Sequence, residues 1–389
     1  MKKLFTSLVL VYLAYQPAQA ADENFDVYVF SNIKYDDNVF RVANQQEAIA
    51  QTGGSQEDDI EVTAGVGANV KIPISRQQFS VDAELRRSQF DRFDQLDNNN
   101  GEIKGVWDWV YASRASGVVS YEYEESLTDF FELQDSARDT EADQNFSASA
   151  NIPVHPRWTV GVGGNLRDVS FDERSFLDRS EEGFYGELVF KTRAKVFVGV
   201  RYQETDTEFD SNTSSNSDFQ ESEVSALARY QSTGKSSFAL RIGRTDRDSE
   251  ISGSGQDFNG TTGQLTYTYL FGGKSSLDLE LFRDTSQLNE VVGLVVTEGI
   301  SFIPKWQISP KTTFRGRVAY EERDFENVNL PGTGNIRSDE LFTLAARVSY
   351  KLNRALSLNL DARFRDRGSN LELSEFDQAE ISAGVNFRL

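Results

Sequence analysis

Hydrophobic and polar residues alternate strictly along much of this chain. In the stretch LSLNLDARFR (356–365), every even position from Leu356 to Phe364 is apolar and every odd position is polar or charged. Successive side chains of a β-strand point to opposite faces, so a period of two predicts a strand with one apolar and one polar face. The pattern recurs in FSVDAEL (79–85), VFVGVRYQ (196–203), FALRIGR (238–244), LDLEL (277–281), FRGRVAY (314–320) and AARVSYKL (345–352). No segment of comparable length has a helical period, so the sequence predicts an all-β fold.

The connections between these segments alternate in length. Eight of them are short and carry a basic residue: PISRQ (73–77), ASRAS (112–116), VHPR (154–157), TRAK (192–195), TGKS (233–236), GGKS (272–275), SPK (309–311) and NRA (353–355). Longer polar stretches lie between them, among them 36–59, 91–100, 210–218, 293–299 and 326–339. Eight short-turned hairpins with one further strand at each end predict about 18 strands, with 16 as the alternative count.

Long strands and this rhythm of connections favour a membrane barrel. A soluble sandwich or propeller also alternates, but its strands are typically about five or six residues long. Outer-membrane barrels combine long tilted strands, apolar-out and polar-in alternation, and short turns on one side with longer loops on the other. Aromatic residues beside the short turns fit an interfacial girdle, namely Trp158, Tyr230, Tyr269, Phe271 and Tyr350. We therefore predict a single transmembrane antiparallel up-and-down β-barrel over residues 21–389.

The first twenty residues predict a secretory signal peptide. Lys2 and Lys3 precede an apolar run over residues 4–15, and Ala18 and Ala20 form a small-residue cleavage site. The alternative, an uncleaved membrane anchor, is less favoured because the apolar run is short for a span. We expect the mature chain to be exported to the bacterial outer membrane.

Composition narrows the classes of chemistry. The 28 Phe and 14 Tyr residues argue against a disordered acidic chain, although the formal net charge is −21. The chain has no cysteine, which excludes thiolate metal sites, disulfides and cysteine nucleophiles. A single histidine argues against most acid–base and metal chemistry.

No motif predicts an enzyme, a metal site or a cofactor. His155 lies in a turn beside Pro156, without a nucleophile nearby in the sequence. LDNNNGE (96–102) would place Leu96 at the first ligand position of a calcium loop, so an Asn-rich hairpin loop is the better interpretation. GVGGN (161–165) has no following helix to make a phosphate site, which predicts glycines within a strand.

The inward face of the predicted barrel is rich in arginine. By parity it holds Arg86, Arg201, Arg241, Arg315, Arg317, Arg347, Arg363 and Arg365, mixed with Asp82, Glu84, Glu122, Asp278, Glu280 and Asp361. Mixed charge is expected of any water-filled barrel. A sharper hypothesis is that arginines of the later strands form one side of the lumen and contact the carboxylates of a passing anionic polymer, because guanidinium groups match carboxylates in shape.

Four segments resemble a known family. YDDNVFR (35–41), PISRQQF (73–79), VWDWVYASRASG (106–117) and HPRWTVG (155–161) resemble, in this order, recurrent pieces of the EpsL/VpsM-type outer-membrane barrels. These barrels are encoded with exopolysaccharide biosynthesis genes and are related to the beta-barrel porin 2 group. The resemblance extends over essentially the mature chain, with Val39 where the family usually has Leu. It implies a pore for a secreted exopolysaccharide, in contact with outer-membrane lipid, lipopolysaccharide and the periplasmic or inner-membrane synthesis machinery. It implies no catalytic residues.

Two functional classes stay open at this point. One is the exopolysaccharide pore, and the other is a general or substrate-specific diffusion porin for small solutes; a structural or adhesive barrel is a weaker third. A diffusion porin often folds one long loop into its lumen. The long candidate is 36–59, where Gly53 and Gly54 offer a bend. The sequence does not decide whether that loop enters the lumen.

Overall fold

The fold is taken from a computed structural model, which describes residues 24–389 apart from 113, 132–136, 195, 212–216, 252–256, 288–293 and 330–335. The expected signal peptide, residues 1–20, lies outside the described residues. Its cleavage stays a prediction.

Eighteen antiparallel strands form one closed barrel. Each strand pairs with its neighbours in chain order, and β1 also pairs with β18 from Tyr28 opposite Arg388 to Asp36 opposite Glu380. The predicted fold class and strand count are thus confirmed. The strands are β1 (Phe25–Asp36), β2 (Asp59–Ile74), β3 (Gln77–Phe90), β4 (Asn98–Tyr111), β5 (Ala115–Leu127), β6 (Thr140–His155), β7 (Trp158–Phe171), β8 (Arg179–Lys191), β9 (Val196–Phe209), β10 (Phe219–Gln231), β11 (Ser236–Ser249), β12 (Phe258–Phe271), β13 (Ser275–Gln287), β14 (Leu294–Gln307), β15 (Thr312–Asn329), β16 (Ile336–Lys351), β17 (Leu356–Ser369) and β18 (Phe376–Arg388).

The alternation of the sequence separates the two surfaces of the barrel. On β17, Leu358 and Leu360 are 42% and 51% exposed on the outer surface, while Asp361 and Arg363 line an internal cavity. Large apolar side chains are exposed on strand after strand, up to 67% for Leu85. A soluble surface rarely exposes so extended an apolar area, whereas a barrel in lipid requires it. Among the described residues, no helix is long and apolar enough to cross a membrane.

All eight predicted short turns are confirmed, and they lie together at one end, which we call the short-turn rim. The opposite end is the long-loop rim. Its connections are L1 (37–58), L2 (91–97), L3 (128–139), L4 (172–178), L5 (210–218), L6 (250–257), L7 (288–293), L8 (330–335) and L9 (370–375).

Three of the predicted polar loops are partly wrong. Residues 98–100 begin β4, residues 294–299 begin β14, and residues 326–329 and 336–339 extend β15 and β16. These residues continue the backbone ladder with their neighbours; for example, Leu294 pairs with Glu326. Cross-strand pairing therefore carries the strands past the apolar band, where polarity alone suggests a loop.

L1 contains a short helix that the sequence analysis did not predict, α1 (Gln45–Thr52). The Asn44 side chain caps its first turn by accepting hydrogen bonds from the backbone N–H groups of Gln46 and Glu47, at 3.0 and 3.1 Å. Gly53 ends the helix in the left-handed region, with φ of 73°.

Apolar side chains of L1, L2 and L3 pack together over the long-loop end of the lumen. The ring centroid of Phe40 lies 4.7 Å from that of Phe93 and 5.0 Å from that of Phe130. We call this group the roof cluster; it consists of Val39, Phe40, Val42, Ala48, Phe93, Leu96 and Phe130. Because its members come from three loops, the cluster fixes those loops relative to one another.

Candidate functional site

A cavity of about 650 Å³ lies inside the barrel next to the roof cluster. Its sides come from strands on both sides of the seam between β1 and β18, and L1 and L3 enclose it through Val39, Arg41, Asp129 and Phe130. L1 thus enters the lumen, which the sequence left open. The basic side chains that line the cavity are Lys34, Arg41, Arg86, Arg315, Arg317, Arg347, Arg363 and Arg365. The acidic ones are Asp36, Asp59, Glu61, Asp129, Asp361 and Glu380.

Six of the eight arginines singled out by parity line this one cavity; Arg201 and Arg241 do not. Arg201 forms an ion pair of 2.7 Å with Glu187, and its guanidinium lies 4.3 Å from the ring centre of Tyr185. Arg241 pairs with Glu223 and, at 2.9 Å, with Asp284. Arg201 and Arg241 thus lie outside the cavity, and nearby carboxylates compensate their charges.

Five of the clustered arginines lie on β15, β16 and β17, and we call them the arginine wall: Arg315, Arg317, Arg347, Arg363 and Arg365. Arg315 and Arg347 stand directly opposite each other across the β15–β16 ladder. Arg347 pairs with Asp361, whereas no carboxylate of the described residues lies within ion-pair distance of Arg315. Like charges directly opposite each other destabilise a sheet. Fold stability therefore does not account for this pair of facing arginines.

Two further arginines of the wall, Arg317 and Arg363, are partly exposed to water. Arg317 donates to Ser301 Oγ at 3.3 Å and lies 3.4 Å from Glu321. Arg363 forms an ion pair of 3.2 Å with Glu380. The Arg317 and Arg363 side chains are 46% and 47% exposed. Such weakly held guanidinium groups can accept a solute carboxylate in exchange for their present partners.

Acidic groups concentrate on other strands of the lumen. On β3 to β5, Arg86 lies 3.4 Å from Glu84 and 3.3 Å from Glu124, and Lys104 lies 2.6 Å from Glu122. Carboxylates outnumber basic groups here, while arginines dominate β15 to β17. Positive and negative charges are therefore unevenly distributed around the lumen.

The YDDNVFR segment ties L1 to the last strand. The Asn38 side chain donates to the carbonyls of Val42 and Asp377, both at 2.9 Å, and accepts from the Val42 N–H at 2.9 Å. Gln378 donates to Asp36 at 2.8 Å. The segment thereby anchors the roof to the β1–β18 seam.

Arg41 is a site residue that the sequence analysis missed. Its φ is 55°, in the left-handed region that residues other than glycine rarely adopt. Its side chain is 8% exposed and lies 3.2 Å from Asp129, 3.7 Å from Asp36 and 3.7 Å from Glu380. A loop residue has no periodicity to reveal it. Lys34 was also missed, although the alternation of β1 could have predicted it, because its side chain faces inward.

The first residues of L3, 128–131, reach the strands that carry the arginine wall. Although it follows β5, the ring of Phe131 lies 4.9 Å from the guanidinium carbon of Arg323 on β15 and of Arg367 on β17. Arg367 also donates to the Phe131 carbonyl at 2.7 Å. The ring contacts Phe376 of β18 edge to face, at 5.4 Å. L3 therefore narrows the lumen at the level of the roof.

The other motifs of the sequence have structural roles. His155 Nδ1 accepts the Arg157 N–H in its turn at 3.2 Å, and GVGGN lies within β7, as predicted. The Asn-rich residues 98–100 were expected in a loop but begin β4, where Leu96 is buried just before them. In the described part of the chain, no three His, Cys, Asp or Glu side chains are grouped to hold a metal ion.

Comparisons with known proteins agree with this architecture. The family model "Putative beta-barrel porin 2" matches residues 284–389, a segment that contains the whole arginine wall. OccK2 (OpdF) of Pseudomonas aeruginosa, solved in complex with glucuronate, is similar with a TM-score of 0.51 and 13% identity, over 94% of this chain and 98% of that chain. A second structure of OccK2 from the same organism is similar with a TM-score of 0.50 and 12% identity, again over 94% of this chain and 98% of that chain. No curated protein matches the sequence. The segment match supports a β-barrel porin family, and the structural likeness shows that this chain has the fold of an outer-membrane porin.

Proposed function

We propose that this protein is an outer-membrane diffusion channel for small anionic solutes, in particular carboxylates. The observation that carries the proposal is the arginine wall, above all the Arg315–Arg347 pair with its like charges face to face. A solute carboxylate between the two guanidinium groups relieves their repulsion and forms charge-assisted hydrogen bonds.

The size of the passage supports a small solute. L1 and L3 enclose the cavity at the long-loop rim, and Phe131 reaches the strands of the opposite side. Glucuronate, the sugar acid held by the structurally similar OccK2, is a suitable probe because it presents one carboxylate on a compact ring.

Exopolysaccharide export, expected from the family resemblance, gains no support from the comparisons. A roof of packed loops also fits a polymer less well than a small solute. The polymer and its synthesis machinery as partners stay predictions, as does contact with lipopolysaccharide.

The proposal predicts anion selectivity that depends on the wall. In planar bilayers under a KCl gradient, the wild-type channel should give a reversal potential that favours chloride, because Arg315, which has no ion-pair partner among the described residues, attracts anions. Arg315→Gln with Arg347→Gln should shift that potential strongly toward cations.

The matched control is Arg201→Gln with Arg241→Gln, which removes the same charge from two arginines that both pair with carboxylates, whereas in the first variant only Arg347 does. We expect a clearly smaller shift there. A cation-selective wild-type channel, or equal shifts in the two double variants, would contradict the proposal.

A further inference from the structure

In the described part of the chain, the Arg365 side chain has its ion-pair and ring contacts with L3. Asp129 Oδ2 lies 3.8 Å from its guanidinium and is the one carboxylate within ion-pair distance among the described residues. The ring of Phe131, two residues further along L3, lies 5.4 Å from the guanidinium carbon. If Asp129 and Phe131 move away, Arg365 loses both contacts and faces the cavity without a compensating charge.

Arg41 forms an ion pair with the other oxygen of the same carboxylate. Its Nη2 lies 3.2 Å from Asp129 Oδ1, so the two oxygens of Asp129 bridge two arginines. The Arg41 Nε is buried and has no hydrogen-bond partner among the residues that the structure describes. This N–H is therefore available to a further acceptor. Asp36 and Glu380, both 3.7 Å from Arg41, hold its side chain in place, and its backbone has a positive φ.

The two sides of this ion pair differ in burial. The Arg41 side chain is 8% exposed and that of Arg365 is 15% exposed, but that of Asp129 is 44% exposed. Burial raises the pKa of Asp129, but the two arginines outweigh that effect and hold it below its ordinary value. Asp129 is therefore ionised at neutral pH. Two sheltered guanidinium groups thus face a more exposed carboxylate on L3.

We propose that Arg41 and Arg365 form a carboxylate-binding site at the entrance to the arginine wall, and that Asp129 occupies it as an internal substitute until a solute carboxylate displaces it. This inference rests on the proposed anion channel and adds its entry site. Displacement of Asp129 exposes Arg365, and the solute then passes to Arg363 and Arg317 deeper in the lumen.

Competition of this kind suits a channel. A solute must bind well enough to enter and weakly enough to leave. A tethered carboxylate acts at a high effective concentration, so it lowers the apparent affinity for the solute without removing the site.

The test is the affinity for glucuronate of the reconstituted full-length channel, measured as concentration-dependent block of the KCl current. Asp129→Asn keeps the shape of the side chain but loses its charge. We expect glucuronate to block this variant at a roughly three- to tenfold lower concentration than the wild type. Adding Arg365→Gln to Asp129→Asn should abolish the gain.

Asp143→Asn is the matched control. Asp143 lies on β6, where its partner Arg167 also pairs with Glu181, so the substitution removes one luminal charge without freeing an arginine. Its block constant should equal that of the wild type. Asp129→Ser provides a second variant, and heat-modifiable gel mobility reports whether each barrel has folded.

The inference is overturned if neither Asp129 variant binds glucuronate more tightly, if Asp143→Asn tightens binding equally, or if the gain survives without Arg365. The wild-type reversal potential reports separately on the proposed function. A cation-selective wild type contradicts the channel proposal whatever the ratio of block constants.

Discussion

Adjacent residues on one strand of this barrel meet different solvents. Leu358 lies on the outer surface and is 42% exposed there, while Asn359 faces the lumen and accepts a hydrogen bond of 2.7 Å from Ser349 Oγ. The environment of a side chain therefore depends on its parity as much as on its position along the chain.

This difference leads to a prediction for one pair of arginine substitutions. Leu358→Arg should impair insertion, costing about 2–4 kcal/mol if the residue lies near the midplane of the bilayer. Asn359→Arg should be tolerated because water fills that side. Folding titrations into lipid vesicles measure both; equal destabilisation would mean that the parity is wrong.

Parity also sets the limit of what sequence shows about single residues. It placed Arg201 and Arg315 alike on the inward face, yet Glu187 stands directly opposite Arg201 in the ladder, whereas Arg347 stands opposite Arg315. Compensation of a charge depends on cross-strand register. Register is a relation between two segments, so the pattern within one strand does not contain it.

Among the elements, L1 shows most clearly a conformation that the sequence did not predict. Its anchor, the bond from Asn38 to the Asp377 carbonyl, joins residues 339 positions apart, and no local pattern encodes such a contact. The strands and short turns were predictable because alternation and turn residues are local signals.

The role of L1 as a roof predicts a loop-specific defect. Asn38→Ala leaves buried backbone groups of Val42 and Asp377 without partners, at about 1–3 kcal/mol each, and should loosen the loop. We expect faster tryptic cleavage within L1 and a larger single-channel conductance, with the barrel still folded.

Asn44→Ala is the control in the same loop. It removes the cap of α1, worth about 1 kcal/mol, but leaves the anchor at the seam intact. Its conductance should match that of the wild type. A wild-type conductance for Asn38→Ala would show that L1 does not narrow the passage.

At the scale of the whole molecule, the number of strands determines the width of the lumen. An 18-strand barrel is too wide for its own side chains to fill, so loops and charges decide what passes. The strand count was predicted from the alternation of short and long connections. It is correct even though loop boundaries such as 293–299 were wrong. Cargo is a property of the assembled lumen, and the sequence alone left it open between polymer and small solute.

Deleting the gene tests the cargo directly. If the protein is a carboxylate channel, a deletion strain should take up glucuronate more slowly and still display normal surface polysaccharide. Complementation with the Arg315→Gln, Arg347→Gln variant should restore uptake poorly, and the Arg201→Gln, Arg241→Gln variant should restore it well. Loss of surface polysaccharide with unchanged uptake would favour the export function instead.

The anchoring of L1 to β18 has a consequence for assembly. Asn38, Asp36 and Arg41 find their partners Asp377, Gln378 and Glu380 on the strand that is last in the chain. Those partners come within reach only when β18 meets β1. In a barrel that is still open between β1 and β18, L1 therefore lacks these partners and does not cover the lumen. Pairing of the last strand with the first secures L1 and narrows the passage.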